Sequence, residues 1–181
     1  GSPALKYIDQ VEFPSGVIIE NDSEDPDHSF ICMSCHKGRT SQAQVQADID
    51  SGSFKFENIH YLAAGATLYG ADAHVGWQYD GRSYDGKWNH FTENEPANNS
   101  ECTFCHLEDH TFRPALRDIC LECHDDGPVD EIRLGRTTDY DGDEDNTESL
   151  KDEVETFGTR LFDAMQDYAD NELGSPIVYD S

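Results

Sequence analysis

Positive charge is scarce in this chain: 12 Lys and Arg stand against 38 Asp and Glu in 181 residues, a formal net charge of -26. Binding to phosphates needs clustered Lys and Arg, so the shortage argues against nucleic acid as a partner. Long apolar runs are missing too. No stretch approaches the roughly 18–20 consecutive apolar residues that a membrane-spanning helix requires. The apolar share is 36%, a figure that includes eight tyrosines, and so lean a composition at this charge approaches that of disordered chains. Two Trp, eight Tyr, nine Phe and six paired cysteines argue for a fold instead. The length suits one ordinary domain, with a core supplemented by something other than side chains.

The cysteines indicate what that supplement is. They occur as Cys32-Met33-Ser34-Cys35, Cys102-Thr103-Phe104-Cys105 and Cys120-Leu121-Glu122-Cys123, and His36, His106 and His124 follow at once. Eight histidines in 181 residues would give three such followers by chance roughly once in ten thousand sequences. The pattern is the c-type haem attachment motif, written three times with no cysteine left over. Two thiols three positions apart reach the two vinyl groups on one porphyrin edge and form thioethers. The next residue sets an imidazole under the iron as its proximal ligand.

Two other readings compete. Cys102, Cys105, Cys120 and Cys123 form a C-x2-C-x14-C-x2-C array close to zinc-ribbon spacing. A ribbon would leave Cys32 and Cys35 unused and the three histidines unexplained. Three disulfides in a secreted chain would also use six cysteines, but short CxxC loops are redox motifs more often than structural staples. Haem accounts for all nine residues. Thioether attachment takes place outside the cytoplasm, so an extracytoplasmic protein (extracellular, cell-surface or periplasmic) is expected. The chain begins Gly1-Ser2-Pro3 without a methionine, and its precursor is expected to carry an export signal.

Six-coordinate irons would need three further ligands from His28, His60, His74, His90 and His110. His60 follows Ile59 in a segment where Ile59, Leu62, Ala63, Ala66 and Tyr69 recur at helical spacing before Gly70. That places His60 at the border of an apolar face. His90 lies near Trp88 and Phe91. His110 is one helical turn beyond His106, so the two imidazoles would point the same way and His110 should serve a different haem. His28, in Asp25-Pro26-Asp27-His28, and His74, between Gly70 and Gly76, read as loop residues. His60, His90 and His110 are the expected distal ligands.

The remaining segments read as scaffold. Val11 to Ile19 reads as two short strands around Pro14-Ser15-Gly16, and Trp77 to Tyr84 carries an Asp-Gly hairpin signal. Pro114 opens a short helix through the third motif. Leu150, Val154, Phe157, Leu161, Met165 and Tyr168 step by three and four, which predicts an amphipathic helix ending near Asn171, with Gly174 as its cap. The expected fold is therefore a mostly irregular multihaem cytochrome c with short α-helices, one or two small β-hairpins and a C-terminal amphipathic helix. One trihaem domain spans 1–181, with a haem-binding region over 1–124 and an acidic loop plus helix over 125–181. That last part carries 18 acids and 4 bases, a net charge of -14. Within it, Asp141, Asp143, Asp145 and Asp152 fall at positions 1, 3, 5 and 12 of an EF-hand-like loop that Asp139 precedes. Asn146 replaces the usual glycine at position 6, and Glu148 stands where an apolar residue is usual. Two readings stand side by side: a calcium site on Asp139, Asp141, Asp143 and Asp145, or a solvated acidic loop capping the helix.

Cys32-x-x-Cys35-His36-Lys37-Gly38-Arg39, Asn58-Ile59-His60-Tyr61 and Ala63-Ala64-Gly65-Ala66-Thr67-Leu68-Tyr69-Gly70 together resemble a group of bacterial extracytoplasmic multihaem cytochromes c. The resemblance continues through Tyr79–Tyr84, His90, the second and third motifs, His110 and the Asp139–Asp145 loop to Pro176-Ile177-Val178-Tyr179-Asp180. In that group the histidines matching His60, His90 and His110 recur, whereas those matching His28 and His74 do not. Members of that group often extend past the equivalent of Ser181. In broad style, though not in alignable motifs, the chain is also similar to cytochromes that polymerise into extracellular wires.

The resemblance implies electron transfer, and the ligand count agrees. Two imidazoles per iron leave no position for substrate, so the expectation is a carrier or conduit and not an enzyme. Its partners would be redox proteins or an extracellular acceptor. An end-to-end filament of identical subunits, a soluble periplasmic shuttle and a multihaem reductase with one open haem are the forms to be separated.

Overall fold

The computed structural model describes residues 7–53, 56–57, 62–88, 101–106 and 139–178. The chain packs as two compact units, 1–113 and 114–181. The described residues are mostly irregular, with short helices, one small hairpin and one long helix, as expected from sequence.

The first unit begins with strands β1 (Gln10–Glu12) and β2 (Ile18–Glu20), antiparallel, with Val11 opposite Ile19. The turn between them closes where the Gly16 amide donates to the Phe13 carbonyl at 2.9 Å and the Phe13 amide to the Val17 carbonyl at 2.8 Å. The hairpin delivers Val11 and Phe13 to a core completed by Phe30, Met33, Tyr69 and Ala73. Phe13 and Tyr69 meet as tilted rings, with centroids 5.9 Å apart. Lys87 lies over the Tyr69 ring at 5.0 Å and pairs with Asp27 at 3.5 Å. Burial pushes the Tyr69 phenol up.

Helix α1 (Ser29–His36) carries the first CxxCH. It starts where the Asp27 carboxylate accepts the Ser29 amide at 2.7 Å, while Asn21 grips Asp27 from both sides: its Oδ1 accepts the Asp27 amide and its Nδ2 donates to the Asp27 carbonyl. Phe30 and Met33, three residues apart, anchor α1 in the core. Helix α2 (Gln42–Ser51) has no buried residue and no apolar stripe, so periodicity does not announce it. Its ends hold it instead: Gln44 Oε1 accepts the Ser41 amide at 2.8 Å, and left-handed Gly52 closes it.

Helix α3 (Ala64–Tyr69) and a 3-10 turn (Gly70–Asp72) follow, so the helix described is shorter than the one read from Ile59 onward. Gly65 is where α3 crosses α1: a Cβ there would stand 2.8 Å from Met33 Cγ and 3.1 Å from the His36 carbonyl oxygen. The Trp77–Tyr84 segment turns at Asp80-Gly81 but forms no paired strands. The Tyr79 amide donates to the Tyr84 hydroxyl at 2.9 Å, so a side chain takes the place of a ladder carbonyl. Helix α4 (Cys102–His106) carries the second motif.

In the second unit, helix α5 (Leu150–Asn171) begins and ends as its periodicity predicts. Ser149 Oγ accepts the Asp152 amide at 3.1 Å, and Asp152 answers by accepting from Ser149. The cap at the far end is Glu172. Left-handed Gly174 follows two residues on, and across it the Ser175 amide reaches the Ala169 carbonyl at 2.9 Å.

Candidate functional site

Helix geometry sorts the first motif. Ser29, Phe30 and Met33 turn inward, Cys32 is half-buried and Cys35 is exposed. The two cysteines lie three positions apart, the spacing at which both thiols can reach one bonding partner. His36, which follows, is already oriented: its Nδ1 lies 2.8 Å from the Leu62 carbonyl oxygen. A carbonyl can only accept, so Nδ1 is the donor in this contact. A ring nitrogen held on a backbone carbonyl is how a protein orients a histidine that ligates a metal. The donor set of α1 therefore fits a c-type haem. On α3 and the segment after it, Ala63, Ala66, Gly70, Ala71, Gly76 and Trp77 help line an open, mostly apolar groove of about 400 Å³.

The second motif meets the first. The Cys102 amide donates to Ser29 Oγ at 2.9 Å, across 73 residues of chain, and Ser29 is fully buried. Glu101, just ahead of α4, faces His28 at 3.4 Å. The Cys32 and Cys102 thiols compete for a proton, and the outcome is one-sided: interaction with Cys32, aided by Ser29 and by nearby His106, outweighs desolvation and Asp27 and brings Cys102 down to about 6. The same interaction, with desolvation and the charge on Cys102, pushes Cys32 well above its ordinary value. The leading cysteines of two motifs 70 positions apart are thus neighbours. No sequence signal announces this pairing, because Ser29 looks like any serine opening a helix.

Of the other expected ligands, His60, His90, His110, Cys120, Cys123 and His124 lie outside the described residues. His74 sits in a turn with a positive φ of 50°. His28 occupies the α1 N-cap position.

The acidic loop is arranged differently from an EF-hand. Asp139, Asp141 and Glu153 bring ligand oxygens within 4.8 Å of one another, as do Asp141, Asp143 and Glu148. Asp145 stands outside both groups and accepts from the Thr147 amide and hydroxyl; Asp152 belongs to the α5 cap. Sequence reasoning did not assign Glu153 as a ligand, and it marked Glu148 only as an oddity at an apolar position. Glu153 is 1% exposed, and its Oε2 accepts the Tyr140 and Asp141 amides at 2.6 and 2.9 Å. Amides of Glu144 and Gly142 hold the Asp139 carboxyl below its usual range. Desolvation, then the charges of Asp143 and Asp141, hold Glu148 above its own.

No family model matches the chain, and no solved structure matches it. Among curated proteins, it is 32% identical over 119 residues to the C-type polyheme cytochrome OmcB of Geobacter sulfurreducens, in two strains. It is 31% identical over 118 residues to OmcC of the same species. The chain is distantly homologous to polyhaem c-type cytochromes. Each match covers 53% of this chain, which spans 16% of the length of OmcB and 15% of OmcC. No helix among the described residues is long and apolar enough to cross a membrane.

Proposed function

We propose that this chain is an extracytoplasmic electron-transfer protein carrying covalent haem c on its three CxxCH motifs. The observation that carries this reading is the His36 imidazole, fixed through Nδ1 on the Leu62 carbonyl one position after the first cysteine pair. Homology to polyhaem cytochromes supports it. When bound, each haem supplies an iron that alternates between ferric and ferrous states. The protein's part is to hold the iron's ligands still, so that little reorganises when the charge changes. His36, His106 and His124 are the proximal ligands in this reading, and His60, His90 and His110 the distal ones. The contact of Ser29 with Cys102 supports a close pairing of the first two attachment sites.

Six-coordinate irons leave no position for a substrate, which favours a carrier over a multihaem reductase. Acceptors with positive surfaces suit a chain of net charge -26. A filament of identical copies extends the same reading, and salt or cations would have to screen that charge before copies could touch. Intact mass of the denatured holoprotein is expected to exceed the sequence mass by three haems, and the ferric spectrum to be low-spin throughout. An unshifted mass would overturn the haem assignment; one high-spin iron would move the protein to the reductase class. Electron microscopy at physiological salt separates filament from shuttle.

A further inference from the structure

The loop ahead of α5 gathers carboxylates around one buried aspartate, Asp141. We propose that residues 139–153 bind one divalent cation of the calcium class around Asp141, with carboxylate oxygens from Asp139, Asp143, Glu148 and Glu153.

Two observations carry this. The first is placement. Asp141 belongs to both carboxylate groups, one with Asp139 and Glu153 and the other with Asp143 and Glu148, and within each group the oxygens lie within 4.8 Å of one another. Oxygens that far apart can share a centre at 2.3–2.6 Å, the range of calcium–oxygen bonds, whereas magnesium draws its ligands in to 2.0–2.1 Å. The second is an orphaned atom. Asp141 is 4% exposed, its Oδ1 accepts the Asp143 amide, and its Oδ2 is fully buried with no hydrogen-bond partner. A buried carboxylate oxygen without a donor is costly unless a cation meets it. Arg160 does not fill that role, because its Nη1 donates to the backbone carbonyl of Asp141. An all-oxygen donor set selects a hard cation over zinc or copper.

The ligand set differs from the EF-hand pattern that spacing suggests. Asp145 and Asp152 are replaced by Glu148 and Glu153, and Glu153 lies in the first turn of α5. Binding would therefore tie the loop to the start of that helix, where Glu153 already accepts the Tyr140 and Asp141 amides.

The test is calorimetric titration of chelator-stripped, haem-loaded protein with calcium chloride, and separately with magnesium chloride. One calcium per chain is expected, at least tenfold tighter than magnesium, with a melting temperature that calcium raises and chelator lowers. Asp141→Asn keeps an acceptor for the Asp143 amide and Glu153→Gln keeps one for its two amides, so both should fold; each is expected to weaken calcium at least tenfold. Asp145→Asn should bind within about twofold of the parent. Absence of calcium binding, magnesium binding as tight as calcium, or retained affinity in Asp141→Asn would overturn the proposal. Loss in Asp145→Asn with retention in Glu153→Gln would overturn it in favour of an EF-hand-like loop.

Discussion

Among the described residues, the first unit buries mostly apolar side chains and the second mostly polar or charged ones. In the first, Val11, Phe13, Phe30, Met33, Tyr69 and Ala73 pack into a small apolar core that positions α1 and its attachment motif. Among the described residues of the second, the buried set is Asp141, Ser149, Glu153 and Ala169. The apolar positions of α5 that periodicity picks out, from Leu150 to Tyr168, are 48–62% exposed. The contrast shows how differently a lean, acidic chain can hold a shape. Apolar contact stabilises one unit, whereas capping and a carboxylate cluster organise the described part of the other.

The comparison can be strained from either side. Phe13 is 2% exposed and stacks on Tyr69, so Phe13→Ala should cost about 3–5 kcal/mol, read as a lower denaturation midpoint of the whole chain. A loss under about 1 kcal/mol would mean that the apolar core is not what holds the first unit. In the second unit, Ser149→Ala removes the acceptor for the Asp152 amide and should cost about 1 kcal/mol, seen as a loss of helical ellipticity on mild heating. The smallest effect belongs to the α5 face. Phe157 is about half exposed, so Phe157→Ala should change stability by no more than about 0.5 kcal/mol in the haem-loaded chain. A loss of about 2–3 kcal/mol would instead show that this face is covered in solution and would erase the contrast between the units.

Legibility followed the range of the interaction. The β1–β2 hairpin was visible because Pro14-Ser15-Gly16 lies between apolar residues, and α5 because its stripe and its end are local. Helix α2 was not visible: it buries nothing and rests on a Ser41–Gln44 box and on Gln42 bonded to Gln78. The Trp77–Tyr84 turn was read correctly, but the strands around it were not, since a tyrosine hydroxyl serves as the acceptor.

By itself the sequence carried the attachment signal, because cysteines at i and i+3 and a histidine at i+4 form a local pattern that can be read without any long-range contact. It also determined the charge and the course of the last helix. Only the tertiary structure decided that the Leu62 carbonyl orients His36, that Ser29 ties the second motif to the first, and that Glu148 and Glu153 displace Asp145 and Asp152 around Asp141. The first two contacts join residues 26 and 73 positions apart. The third is short in sequence but depends on the loop folding back on α5, so that a carboxylate's partners are set by where the chain turns and not by its spacing.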